Sequence, residues 1–209
     1  MQRLEKIIEY KFKNKDLIQM ALTHPSFSFY KSYEKLEFLG DLILDAIVGI
    51  YLYKKYKDKN EAFLTDLKSA YVNKNYLKEI ADKIGLKNFA SYKGDNIKRT
   101  DKFLEALIGA IYLDGGMKKA EKFIKKFVLN KELEPLKDYK NLILNYARKI
   151  KGTEPIYEVI KMEGPPHKRE YEVRINIKGI RKVGRGKGNS LKEAEIIAAK
   201  SLYEKIFKS

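Results

Sequence analysis

Two fold classes are predicted in series along the 209 residues, an all-α region and then a small α+β region. Three observations carry this. Apolar positions recur three and four apart from the N-terminus to about residue 129. Between residues 156 and 183 the period drops to two, as in Tyr171, Val173, Ile175 and Ile177. Residues 133–138 (LEPLKD) follow neither pattern and include a proline. The expected domains are therefore 1–135 and 136–209.

In the first region, residues 3–22 read as helical and break at Thr23-His24-Pro25-Ser26. A long helix from residue 33 runs on through Tyr53 to a lysine-rich end. Residues 61–86 are helical by period and stop near Gly85. Residues 92–99 (YKGDNIKR) read as a loop. A helix over 101–114 stops at Gly115-Gly116, and a basic helix over 118–129 closes the region. The second region opens with a short helix over 141–149. Strands are expected at 156–160, 171–177 and, after the turn at Gly179, 180–183. Residues 184–190 (GRGKGNS) read as a loop ending in Ser190, an N-cap for a last helix over Leu191–Phe207. The order is α-β-β-β-α.

Composition narrows the function. Lys and Arg number 44 against 28 Asp and Glu, a net charge of +16. That balance points to a polyanionic partner, nucleic acid or an anionic surface. Residues 136–209 carry 18 basic and 9 acidic side chains, so positive charge is densest there. No apolar run reaches the roughly 18 residues of a membrane span, and the N-terminus shows no signal-peptide core. With no cysteine, a thiol nucleophile or zinc-thiolate site is excluded. A soluble cytoplasmic protein with no membrane partner is the expectation.

The chemistry concentrates on two helices. At about 100° per residue, residues 33–48 (YEKLEFLGDLILDAIV) place Glu34, Glu37, Asp41 and Asp45 within an arc of roughly 80°. Most of the remaining circumference is apolar, which belongs in a core. On 101–114, Asp101 and Glu105 share a face one turn apart. Carboxylates on buried-looking helices need cationic partners. Lys or Arg from elsewhere, or a hard divalent metal with oxygen ligands, would serve. In a basic protein the second choice suggests a phosphodiester substrate, with the ion activating water and stabilising the leaving oxygen. His24 reads as structural.

These residues are recognisable. YEKLEFLGDLIL (33–44), THPS (23–26), EAFLTDLKSAYVN (61–73) and LEALIGAIYLDGG (104–116) resemble the ribonuclease III family, whose signature is NERLEFLGD. EGPPHKREYEV (163–173) and GKGNSLKEAEIIAAKSL (186–202) resemble a double-stranded RNA-binding domain. The resemblance covers nearly the whole chain, in the family's order. It implies the ribonuclease III fold, a homodimer and Mg²⁺-dependent hydrolysis of double-stranded RNA, with Mn²⁺ as a substitute. The products would carry 5′ phosphates and short 3′ overhangs. Processing of ribosomal precursors and structured messages, and no small-molecule substrate, are implied with it.

Carried over by position, the resemblance makes Glu37, Asp41 and Glu105 metal ligands and catalytic acids, with Glu34 and Glu61 accessory. Phe38 resembles an aromatic knob at the dimer interface. One departure stands out. The family has Asp three residues before Glu105, where this chain has Lys102; its aspartate is Asp101, four before. Asp101 is either the displaced fourth ligand or a first-turn helix acid. In the second case Lys102 aims a cation at the site, and the chain is a weak or inactive duplex-RNA binder. For RNA contact the resemblance implies Lys187, Ser190 and Lys192 at the last helix, with Lys200 along it, and Pro165, Pro166 and His167 in a groove-entering loop. Leu191 stands where a second lysine is expected. Leu144 replaces a usual glutamine, leaving Asn141 or Asn145 to compensate.

Overall fold

A computed structural model describes residues 1–28, 30–94, 99–165 and 168–207. The chain forms two compact units, Met1–Leu136 and Lys137–Ser209. The first is helical: α1 (Gln2–Ile8), α2 (Lys15–Ala21), α3 (Glu34–Lys55), α4 (Glu61–Val72), α5 (Lys74–Ile84), a 3₁₀ turn at Leu86–Phe89, α6 (Thr100–Gly115) and α7 (Met117–Phe127). Among the described residues no helix is long and apolar enough to cross a membrane.

Two stretches expected as continuous helices are each broken by asparagine. Residues 3–22 divide into α1 and α2: the chain leaves α1 through Glu9 at φ 53°, and the Asn14 side chain caps α2 by accepting the Asp16 N–H. Residues 61–86 divide at Asn73, whose side chain accepts from Asn75 and Tyr76 and starts α5. Asp114, at the end of α6, ties down the segment before α2. Its carboxylate accepts the Tyr10 hydroxyl (2.6 Å) and the Lys13 and Asn14 N–H groups (3.0 and 2.8 Å).

α6 is the central helix. From Asp101 to Ile111 every residue is buried except Lys102 and Glu105. α3 crosses it where two glycines meet. A Cβ on Gly40 would lie 1.7 Å from the Glu105 carbonyl oxygen, and one on Gly109 would lie 2.3 Å from that of Leu36. Only glycine allows the backbones this close. Around the crossing pack Leu36, Ile43, Leu44, Val48, Phe103, Leu104 and Leu107. α3 is not apolar toward protein on all sides: Phe38, Leu42, Ile50 and Tyr53 form an exposed stripe.

The second unit holds α8 (Tyr139–Lys151), β1 (Pro155–Glu163), β2 (Glu170–Ile177), β3 (Gly184–Gly188) and α9 (Leu191–Phe207). Its antiparallel sheet has the order β1-β2-β3. Val173, Ile175 and Ile177 of β2 pack on Ile143 and Ala147 of α8 and on Ala194, Ala198 and Leu202 of α9. The third strand corrects the expectation. It is not 180–183 but Gly184–Gly188, read from sequence as loop, and it pairs with β2 from Tyr171↔Gly188 to Ile175↔Gly184. The alternate glycines explain it: a Cβ on Gly184 or Gly186 would come within 2.2–2.3 Å of the α9 backbone at Ala198. This strand packs by its backbone, so it has no apolar alternation to read.

Candidate active site

The glycine crossing sets Glu37 and Asp41 of α3 opposite Asp101 and Glu105 of α6, because each glycine lies one turn from its acid. Glu105 is the acid on which the others converge. Burial pushes Glu105 up to about 7, with further contributions from the charges of Asp41, Glu37 and Asp101, partly offset by Arg99. Asp41 is exposed overall, yet partial burial of its carboxyl raises its pKa, as does Asp45, with Lys68 opposing. Lys68 is paired with Asp45 at 2.7 Å.

Two cations of the chain enter the cluster. Asp101 is 1% exposed and accepts the Arg99 guanidinium through both oxygens (Nε 2.9–3.0 Å, Nη2 2.7 Å). It is a first-turn acid of α6, which starts at Thr100. Lys102 Nζ lies 2.8 Å from Glu37 Oε1 and 5.8 Å from the centre of the Tyr33 ring. The departure from the family pattern at position 102 offers a cation from Lys102 as one of two alternatives. The Arg99 clamp was not visible, since a neighbour two positions away gives no periodic signal.

The accessory acids lie at helix starts. Glu34 opens α3 and accepts the Ser32 hydroxyl (3.1 Å), and exposed Glu61 opens α4 and accepts that of Thr65 (2.9 Å). Phe38 is 70% exposed. His24 has a local structural partner: its Nδ1 meets the Ser26 hydroxyl (2.9 Å) and the Ser26 N–H (3.1 Å).

A hard divalent cation suits this donor set, which is all carboxylate oxygen. Four carboxylates against Arg99 and Lys102 leave two negative charges when all are ionised. Among the described residues, however, no three acids or histidines are already drawn together as ligands. Glu37 is held by Lys102 and Asp101 by Arg99.

In the second unit, Asn141 and Asn145 are exposed one turn apart on α8, and Lys140 ties that helix to Glu195 of α9 (2.7 Å). Ser190 caps α9 by accepting the Glu193 N–H (3.2 Å), while Glu193 accepts the Asn189 N–H (2.9 Å). Lys192 is exposed in the first turn of α9, and exposed Lys187 on β3 lies 3.6 Å from Glu172. Lys200 sits over the Tyr139 ring (5.9 Å). Pro165 is exposed and its carbonyl accepts the Lys168 N–H (2.8 Å). Pro166 and His167, and positions 95–98 of the expected loop, lie outside the described residues.

A helical nuclease domain followed by an α-β-β-β-α RNA-binding fold is the class these two units define. Residues 14–132 match the family model described as Ribonuclease-III-like, and residues 139–206 match that of the double-stranded RNA binding motif. The chain belongs to the ribonuclease III family. It is 39% identical over 212 residues to Ribonuclease 3 of Campylobacter fetus subsp. fetus, covering 95% of each chain. It is 34% identical over 222 residues to Ribonuclease 3 of Campylobacter curvus, covering 100% of this chain and 99% of that one. Among solved structures, the nuclease domain of ribonuclease III from Campylobacter jejuni is similar at 34% identity with a TM-score of 0.59. That match covers 62% of this chain and 96% of the other.

Proposed function

We propose that this chain is a homodimeric endoribonuclease that hydrolyses double-stranded RNA using a divalent metal held at the α3–α6 crossing. The observation that carries the reading is the glycine contact of α3 with α6, beside which the charges of Glu37, Asp41 and Asp101 act on Glu105, in a chain related to Ribonuclease 3 over its whole length. The nuclease domain is taken as residues 1–135 and the RNA-binding domain as 136–209. Glu37, Asp41 and Glu105 would hold the ion, Mg²⁺ with Mn²⁺ as a substitute. Asp101, fixed by Arg99, would add negative charge behind them. When bound, the ion supplies positive charge to the scissile phosphate and acidifies the attacking water.

The chain's own groups do the rest. Glu34 and Glu61 edge the catalytic face. Lys187, Lys192 and the capped start of α9 meet phosphates. Asn141, Asn145 and Pro165 would meet the minor groove, where 2′-hydroxyls distinguish RNA from DNA, and His167 is assigned to the same contact from the family resemblance alone. Phe38 joins two protomers, so that each cuts one strand and leaves 5′ phosphates and short 3′ overhangs. Ribosomal precursors and structured messages in the cytoplasm are the proposed substrates. The reading as a non-catalytic duplex-RNA binder is not favoured, given the Ribonuclease 3 relatives over the full length.

The test is cleavage of a labelled RNA duplex with Mg²⁺ or with EDTA, beside a gel-shift. Mg²⁺-dependent cutting to short duplexes is expected. Glu37→Gln and Asp41→Asn are expected to lower turnover by orders of magnitude, with duplex affinity nearly unchanged. Full activity in either variant would overturn the site, and binding without cutting would overturn the enzyme.

A further inference from the structure

We infer that Lys102 is a resident cation of the carboxylate site, held on Glu37 in the ion-free protein and displaced from it when a divalent ion is taken up. The inference rests on the metal-dependent reading above and concerns a side chain which that reading leaves without a role.

Three observations support it. First, Lys102 and Glu105 are the two residues between Asp101 and Ile111 that are not buried. Three positions apart, they emerge on the same face of α6, toward α3. Second, the ammonium has a fitted seat. It lies 2.8 Å from Glu37 Oε1 and beside the face of Tyr33, a buried ring packed edge-on against Phe103 at 5.1 Å. A carboxylate and an aromatic face together hold a cation more firmly than either alone. Third, the two cations of the site differ in what their removal costs. Arg99 grips a fully buried carboxylate with three hydrogen bonds, and its departure would strand a buried charge. Lys102 makes one ion pair, to a partly exposed acid, at the end of a flexible four-carbon stem. Lys102 is therefore the cation that can leave.

Ion uptake is then an exchange. The Lys102–Glu37 contact breaks, Glu37 turns to the incoming ion and the ammonium moves out to solvent or to substrate phosphate. Removing the lysine charge should strengthen ion binding, because the ion no longer competes for Glu37 and no longer meets a like charge beside it.

The experiment is calorimetric titration of the full chain with Mn²⁺, without RNA, for the wild type, Lys102→Met and Lys102→Arg. Methionine keeps much of the apolar stem without the charge, and arginine keeps the charge. Binding at least about tenfold tighter in Lys102→Met is expected from the loss of one adjacent charge, with no gain in Lys102→Arg. Lys102→Gln serves as the neutral variant if the methionine protein does not fold. The ion-induced rise in melting temperature should follow the same order. Equal or weaker binding by the neutral variants, or equal gains in Met and Arg, overturns the inference while leaving the metal site standing. Absence of Mn²⁺ binding in every protein, wild type included, overturns both.

Discussion

Single residues in this chain act mainly by where they anchor charge. Asp114 carries no part of the proposed chemistry, yet it accepts three hydrogen bonds from residues about 100 positions away. Burial alone would raise its pKa, but the Tyr10 hydroxyl and the N–H groups of Asn14 and Lys13 outweigh that and hold it below the usual aspartate value. A carboxyl whose folded pKa is depressed contributes stability above its unfolded pKa and loses it as pH falls through the folded value. Asp114→Asn should therefore cost about 2 kcal/mol at pH 7, in the range for hydrogen bonds to a charged group. The deficit should shrink steadily below about pH 4. Urea unfolding of both proteins across that range checks it, and a deficit independent of pH would mean the charge is not what holds the segment. Asp114 was visible in the sequence only as the end of a motif, because its partners lie in an irregular stretch with no periodicity. Glu37, Asp41 and Glu105 were legible individually, since each breaks an apolar pattern. The pairing of Glu37 with Lys102 depends on how two helices cross.

That crossing belongs to the scale of elements. Gly40 and Gly109 allow α3 and α6 to approach until backbone meets backbone, and the same contact brings the two acidic stripes together. Gly109→Ala puts a methyl group where the Leu36 carbonyl stands, and no side-chain rotation relieves a backbone collision. Overpacking of this kind costs about 1–3 kcal/mol, and the helices must separate to accept it. Stability in urea should fall by that amount, while cleavage should fall by much more, because Glu105 moves away from Glu37 and Asp41. A loss of activity no greater than the loss of folded protein would show that the spacing is not critical. Elements were legible where side chains carry the packing: α3, α6, α9 and β2 appear close to where their apolar periods put them. They were hidden where backbone or caps decide. The strand at Gly184–Gly188 packs through missing side chains. The breaks at Asn14 and Asn73 interrupt patterns whose apolar period continues across them.

On the scale of the whole molecule, the proposed homodimer rests on the exposed stripe of α3. Phe38, Leu42, Ile50 and Tyr53 lie exposed along one side of α3. Scattered exposed apolar residues are ordinary, but four large ones along one side of a single helix call for a cover. In the proposed homodimer the cover is a second copy, and Phe38 is its most prominent anchor. Because the side chain is exposed in the protomer, Phe38→Glu should change protomer stability by no more than about 0.5 kcal/mol. In a dimer it would place a carboxylate in an apolar contact with nothing to pair with. Sedimentation should therefore give a dimer for the wild type and a monomer for Phe38→Glu at the same micromolar concentration. Melting supplies the independent check, since association stabilises by mass action. The wild-type melting temperature should rise with protein concentration and the variant's should not. A Phe38→Glu protein that remains dimeric, with concentration-dependent melting, would place the contact between protomers elsewhere on the chain.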